Sequence, residues 1–319
     1  MRTVVTGATG HLGRYVVHRL AAAGCQVVAA SRSGGLPEAP FEEPPLSGEV
    51  RPLALDVAAE SAVDVLRAEV ATDVAVVHLA AWHPPATAAS TPGDRARLIA
   101  VNVMGTMRVL DAVRAAGGAR IVVYASTFEV YGVPPDAAPV TEDSPTRPFS
   151  DYGATKLSGE DHLFAFAAEQ GISAVALRLP AIYGPGERVS RALPNFLRAV
   201  ARGERPKVYG TGLDRRDQLH AADAALGVEC ALVSVKSGVY NVADGEPHSV
   251  LDLARAALGV AERGDEPEHV PAQAQKPSFD FHMSIDKIRS QLGFDPRVRL
   301  ADGMRQQLRW IRSLGDERA

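Results

Sequence analysis

Six short apolar runs punctuate the first 180 residues: RTVVT (2–6), QVVAAS (26–31), VRPLAL (50–55), DVAVVHLA (73–80), ARIVVYAS (119–126) and ISAVALRL (172–179). They are apolar almost throughout instead of alternating, the pattern of strands covered on both faces. Helical stretches separate most of them, among them HLGRYVVHRLAAAG and NVMGTMRVLDAVRAAG. Strands joined by crossovers of a dozen or more residues pair in parallel, and right-handed crossovers wind the sheet both ways. The pattern predicts an α/β chain with a doubly wound parallel Rossmann-type sheet. After YGPGE (183–187) it changes to helices with short strands, which predicts a smaller C-terminal α/β lobe. The expected division is 1–180 for the sheet domain and 181–319 mainly for the lobe, with later segments returning to the sheet.

Three proline-rich stretches interrupt the alternation, at 34–48, 81–94 and 132–148. In an open parallel sheet the loops after strand C-termini form the ligand-binding edge. Their length exceeds that of ordinary connections, which favours a functional role.

The first of these edges carries recognisable chemistry. VVTGATGHLG puts Gly7, Gly10 and Gly13 between the first strand and the first helix. Gly7 permits a tight turn, Gly10 lets backbone approach a pyrophosphate, and Gly13 allows close helix–strand packing, while the helix N-terminus offers free N–H groups. The 1–180 unit therefore reads as a dinucleotide-binding domain. His11 and Leu12 lie inside this loop and count among its cofactor contacts. His11 is expected to face solvent or pack locally, not to do chemistry. At the end of the second strand stand Ser31 and Arg32, where an acid would otherwise hydrogen-bond a ribose 2′-hydroxyl. A hydroxyl and a guanidinium suit a 2′-phosphate instead, so the cofactor is read as NAD(P), leaning to NADP. Asp56, after the third strand, is a candidate for the adenine edge or a cap for the next helix, with Val57 beside it.

Further along, DYGATKLSGED places Tyr152 and Lys156 four residues apart, on one face of a helix. An ammonium beside a phenol is expected to lower the phenol's pKa toward neutrality. Tyr152 then moves a proton at a substrate oxygen while hydride moves at carbon. Lys156 is also placed to hold a nicotinamide ribose.

Composition narrows the partners. The chain has 319 residues, 46% apolar and 23% charged, with a net charge of −4. That balance gives no reason to expect nucleic acid or an anionic membrane as partner. Cys25 and Cys230 are expected as buried free thiols on predicted strand or helix segments, and nothing suggests a metal site. A strand beginning at residue 2 leaves no room for a signal peptide. No apolar run approaches the ~18 residues of a membrane span. The expectation is a cytoplasmic protein.

Taken together, TGATGHLG (6–13), VVHLAA (76–81), NVMGTMRVLDA (102–112), YASTFEVYG (124–132), YGATK (152–156), LRLPAIYGPGE (177–187), RRDQLHAAD (215–223) and GVYNVADGEPHSVLDLA (238–254) resemble the extended short-chain dehydrogenase/reductases. The likeness is to their NAD(P)-dependent epimerase/dehydratase family, which acts mostly on nucleotide sugars. The resemblance implies Tyr152 as general acid/base with Lys156 as partner. Thr127 takes the hydroxyl position at the reacting oxygen, with Ser126 as its alternative. Asn102 belongs to the shell near the site, Leu79 and Ala80 to the cofactor wall, and Arg216 to the substrate diphosphate. Phe128, Trp82 and His83 are substrate-contact candidates. Where many relatives carry Asn before Tyr-Gly-Pro this chain has Ala181, which leaves Arg216, Arg188 and Arg191 to carry negative charge.

The resemblance leaves several reactions open. The leading one is a nucleotide-sugar epimerase working at C4 through a 4-keto intermediate. A second is an NADPH-dependent 4-ketoreductase of a deoxysugar nucleotide, favoured by Ser31 and Arg32. A third is a dehydratase- or decarboxylase-type lyase using Glu129 as base; Phe128, which cannot donate a proton, counts against the Thr-Asp-Glu version of it. A non-nucleotide carbonyl is a further alternative. The helices near 95–116 and 151–170 carry apolar residues beyond what one sheet face needs, and the resemblance implies that such helices pair into a homodimer.

Overall fold

The computed structural model describes residues 1–43, 46, 48–84, 90–133, 139–271 and 280–315. Parts of all three proline-rich loops lie outside that set. Six strands of the N-terminal part, β1 (Arg2–Thr6), β2 (Gln26–Ser31), β3 (Val50–Ala54), β4 (Ala75–His78), β5 (Ile121–Thr127) and β6 (Ser173–Leu179), match the six apolar runs to within two residues at each end. Every pairing among them is parallel. The strand Gly238–Asn241 adds to the outer side of β6, also parallel. From that strand inward the order is β6, β5, β4, β1, β2, β3, with the winding reversing between β4 and β1. At such a switch point the loops diverge and leave a crevice.

The sheet is covered on both faces, as the continuous apolar runs require. On one face α1 (His11–Ala22) and the helix Ala221–Ser234 pack with Val5, Val77, Val123 and Val175. On the other, α2 (Ala62–Arg67), α4 (Gly105–Ala115) and α5 (Asp151–Gln170) pack with Val4, Val76, Val122 and Ala174. Neighbouring strand residues thus supply opposite cores. Each fully buried valine contributes about 1.5–3 kcal/mol against exposure. Residues beyond 180 go to two places. The helix Ala221–Ser234 and the strand after it join the sheet, whereas Tyr183, Leu193, Phe196, Leu197, Leu253, Met304 and Leu308 form a separate apolar cluster.

The helix expected near 95–116 is broken into three pieces. α3 (Pro92–Leu98) runs into a π-helical segment, Ile99–Met104, before α4 begins. Such wide turns are frequent at functional sites, and this one turns Asn102 inward until it is 1% exposed. Both cysteines are free. Cys25 is buried just before β2, and Cys230 is only half-buried in its helix. Among the described residues no helix is long and apolar enough to cross a membrane.

Candidate active site

Two cavities open where the sheet reverses, and Leu79 and Ala81 stand in the walls of both. The larger, about 840 Å³, is lined by Gly7, Gly10, Ser31, Arg32, Asp56, Val57, Ala80 and Trp82. It begins at the glycine loop. Gly7 has φ +71, and a Cβ there would meet the Ala80 backbone nitrogen at 2.8 Å. Gly13 lies outside the wall and serves packing: a Cβ on it would fall 2.1 Å from the Gly7 carbonyl oxygen. At the start of α1, Gly10 is the N-cap, with no side chain capping it and no acid in the first turn. Free N–H groups and the positive helix end therefore face the cavity, an arrangement that fits a dinucleotide pyrophosphate. Beyond it Ser31 is buried with its Oγ 3.1 Å from that of Ser33, and Arg32 is exposed. Asp56 accepts from the Ala58 N–H at 2.9 Å, so it does cap the following turn while lining the cavity.

The smaller cavity, about 410 Å³, gathers His11, Leu12, His83, Ser126, Thr127, Phe128, Glu129, Tyr152, Lys156, Arg191 and Arg216. Local sequence explains their placement. Thr127 ends β5, and its Oγ1 accepts from the Glu129 N–H at 3.4 Å to start a short helical turn. Ser150 caps α5 through the Gly153 N–H at 2.9 Å, which sets Tyr152 in the first turn and Lys156 one turn on. A Cβ on Gly153 would meet the Glu129 carbonyl oxygen at 2.8 Å, so the helix start rests directly on the β5 end.

The charges in this cavity are tied to one another. Glu129 accepts a hydrogen bond from Ser150, and its other oxygen lies 3.8 Å from His83 Nε2. Burial pushes its carboxyl upward, but the bonds from His83 and Ser150 and the Arg191 charge outweigh that and hold it below the usual range. The His83 ring lies against Tyr152, centroids 4.5 Å apart. Burial lowers the Lys156 ammonium to about 7 against the opposing pull of Glu160, and Nζ sits over the Tyr124 ring at 3.9 Å. Burial also pushes the Tyr152 phenol up, Glu129 adds to the rise, and Arg191 opposes it. This overturns the expectation of a phenol lowered by Lys156. Desolvation dominates, and it favours the neutral phenol.

Other predicted residues take different places. Ser126 lines the cavity, but its hydroxyl donates to Glu160, which forms a buried pair with Arg178 at 2.6 Å. That commitment leaves Thr127 as the less engaged hydroxyl. Asn102 lines neither cavity. Its side chain bonds both backbone groups of Trp82, at 2.8 and 2.9 Å, and donates to Thr155, which in turn bonds the Tyr152 carbonyl at 2.8 Å. One buried amide thus ties the loop after β4 to the start of α5. Arg188 is exposed and outside both walls. His11 packs locally, one of the two placements expected of it. Among the described residues its buried Nε2 has no hydrogen-bond partner, its ring packs edge-on to Tyr15, and burial first, then the Arg14 charge, lowers it to about 3. The wall also includes Glu187, Asp217 and Phe281, which sequence reasoning missed. Glu187 stands inside a quoted motif but carried no independent signal, and Phe281 comes from a distant segment. Among the described residues no cluster suited to a metal ion occurs.

The fold, the glycine cradle and the Tyr-Lys cavity define a nucleotide-cofactor enzyme of the short-chain dehydrogenase type. The profile of the NAD dependent epimerase/dehydratase family matches residues 3–243, and the chain belongs to that family. It is 31% identical to the UDP-glucose 4-epimerase of Mycolicibacterium smegmatis over 98% of this chain and 99% of that one. It is 34% identical to a dTDP-glucose 4,6-dehydratase of Streptomyces niveus over 78% of this chain and 74% of the relative. Among solved structures, MoeE5 in complex with UDP-glucuronic acid and NAD superposes with a TM-score of 0.83 at 30% identity, covering 98% and 100% of the two chains.

Proposed function

We propose that the protein is a nucleotide-sugar 4-epimerase that uses Tyr152 as acid/base. The carrying observation is one cavity wall that brings Thr127, Tyr152 and Lys156 together and shares Leu79 and Ala81 with the dinucleotide cavity. A bound nicotinamide would supply reversible hydride exchange at the sugar C4. The chain's own residues do the rest. On this reading the charge of the Lys156 ammonium and of the bound oxidised cofactor offsets the desolvation of Tyr152, which as a phenolate takes the proton from the C4 hydroxyl oxygen and gives it back. Thr127 hydrogen-bonds that oxygen, Lys156 holds the nicotinamide ribose, and Arg216 meets the diphosphate. Phe128 packs against Phe281, centroids 5.0 Å apart, and has no proton to supply for loss of water. Glu129, held ionised and bonded to Ser150, acts on this reading as a brace for α5 and not as a base at C5.

The test incubates purified enzyme with UDP-glucose, UDP-glucuronic acid and dTDP-glucose, without added cofactor, and follows the sugar protons by NMR. Epimerisation gives the C4-inverted sugar. A new C6 methyl signal would overturn the reading in favour of water elimination.

A second reading, an NADPH-dependent 4-ketoreductase, is favoured by Ser31, Arg32 and Ser33 at the ribose end of the larger cavity. It predicts stoichiometric NADPH oxidation by a 4-keto sugar nucleotide. Ile99 and Met104 are exposed apolar residues between α3 and α4. They support a homodimer built on the 95–116 and 151–170 helices.

A further inference from the structure

An aromatic pair connects the two ends of the smaller cavity. Phe128 follows Thr127 in the chain. Phe281 is bridged to Arg216, its N–H donating to the Arg215 carbonyl at 3.0 Å. The two rings meet edge-on, centroids 5.0 Å apart, and both line the cavity. Further rings back them: Phe149 stands 6.1 Å from Phe128, and Tyr131 stands 6.2 Å from Phe281, which is 2% exposed. The pair is therefore a fixed apolar wall between the Thr127 hydroxyl and the Arg216 guanidinium.

That placement selects an edge of the sugar. On the epimerase reading Thr127 meets the oxygen on C4 and Arg216 the diphosphate on C1. A hexose ring runs from C4 to C1 along two edges. One carries the C2 and C3 hydroxyls, and the other carries C5 with its C6 substituent. Neither phenyl ring offers a hydrogen bond, so a hydroxyl pressed against the pair would give up its water bonds without replacement. The C2–C3 edge is thus excluded from this wall, and the same cavity holds polar groups for it, His11 and the Glu187 carboxyl, which Gln307 Nε2 holds at 3.2 Å. The C5–C6 edge fits the wall when C6 carries no oxygen, because a methyl group there is simply taken out of water. We propose that Phe128 and Phe281 form the subsite for the sugar C6 and that it takes a methyl group, so that the substrate is a nucleoside-diphosphate 6-deoxyhexose. This names the substrate class of the epimerase reading and rests on that reading.

Three sugars on one nucleotide isolate the subsite. The dTDP derivatives of 6-deoxyglucose, glucose and glucuronic acid differ only at C6, which is methyl, hydroxymethyl or carboxylate; the UDP series repeats the comparison. Inversion at C4 is followed by NMR, and kcat/KM is compared. The wild-type protein should favour the methyl sugar over the hydroxymethyl sugar by about 10- to 100-fold, the range an apolar pocket sets on an added hydroxyl. Phe128→Ser supplies space and a hydroxyl and should bring that ratio to within about threefold, chiefly by loss with the methyl sugar. Phe128→Leu keeps the wall apolar and should keep the preference, and melting temperatures check that both variants fold. Equal kcat/KM for the methyl and hydroxymethyl sugars, a preference for the carboxylate, or a ratio unmoved in folded Phe128→Ser overturns the inference and leaves the epimerase reading standing. Loss of the preference in folded Phe128→Leu does the same. Failure to invert any of the three sugars on either nucleotide overturns both.

Discussion

Tyr152 is the residue on which the chemistry turns. It is half-buried, backed by the His83 ring, and its phenol is pushed up by burial and by Glu129. Tyr152→Phe removes one oxygen from an otherwise unchanged cavity. Turnover should fall by about 10²–10⁴, the usual worth of a positioned acid/base, with the melting temperature held. Glu129 permits a separate check. If it only braces Ser150 and His83, product formed in deuterium oxide carries no deuterium at C5; label at C5 would make Glu129 a base and the enzyme a lyase. At this scale the sequence was legible where chemistry dictates spacing. Tyr152, Lys156 and the glycines stand at fixed intervals because one helix face and one tight turn require it. Asp217 and Phe281 were not legible, since only the closing of distant segments brings them to the wall. The commitment of Ser126 to Glu160 depends on Arg178, a partner no local pattern announces.

Helix starts and strand ends carry the next level of control. Ser150 both caps α5 and donates to Glu129, so Ser150→Ala should cost about 1 kcal/mol of stability, a drop of a few degrees in melting temperature. It should also lower turnover through a misplaced Tyr152, without abolishing cofactor binding. A second junction joins the segment before the strand Gln218–His220 to the loop after the strand Gly238–Asn241. There burial first, then the Asp280 charge, raises Asp217 to about 7 against the hydrogen bonds from Met283 and Asp244, and burial first, then the Asp217 charge, raises Asp244 to about 8. Carboxyls raised above their unfolded values favour the folded state at low pH, and that contribution is lost as pH climbs through about 7 to 8. Asp244→Asn should therefore gain stability relative to wild type as pH rises from 5 to 9. Melting curves at several pH values check this, and a difference independent of pH would contradict it. The elements themselves were largely readable, because strands buried on both faces leave uninterrupted apolar runs. The π-helical Ile99–Met104 was not, since its pattern is helical either way and only the inward turn of Asn102 distinguishes it.

On the scale of the whole molecule, two cores back one sheet and a third cluster stands apart from them; residues 7–101 alone wall the larger cavity, whereas the smaller also draws on residues 179–217 and Phe281. The reversal of winding between β1 and β4 puts the cavities there, a consequence of crossover handedness that the order of strands and helices already implied. The proposed homodimer predicts a dimer mass by light scattering at micromolar concentration, and Met104→Glu should shift it toward monomer. The central claim is that hydride leaves and returns at the same sugar carbon within one turnover. A nucleotide hexose deuterated at C4, given to the enzyme without added cofactor, tests it most directly. The account predicts an inverted sugar that keeps its deuterium at C4. Loss of the label to solvent, or product formed only in step with added NADPH, would contradict it.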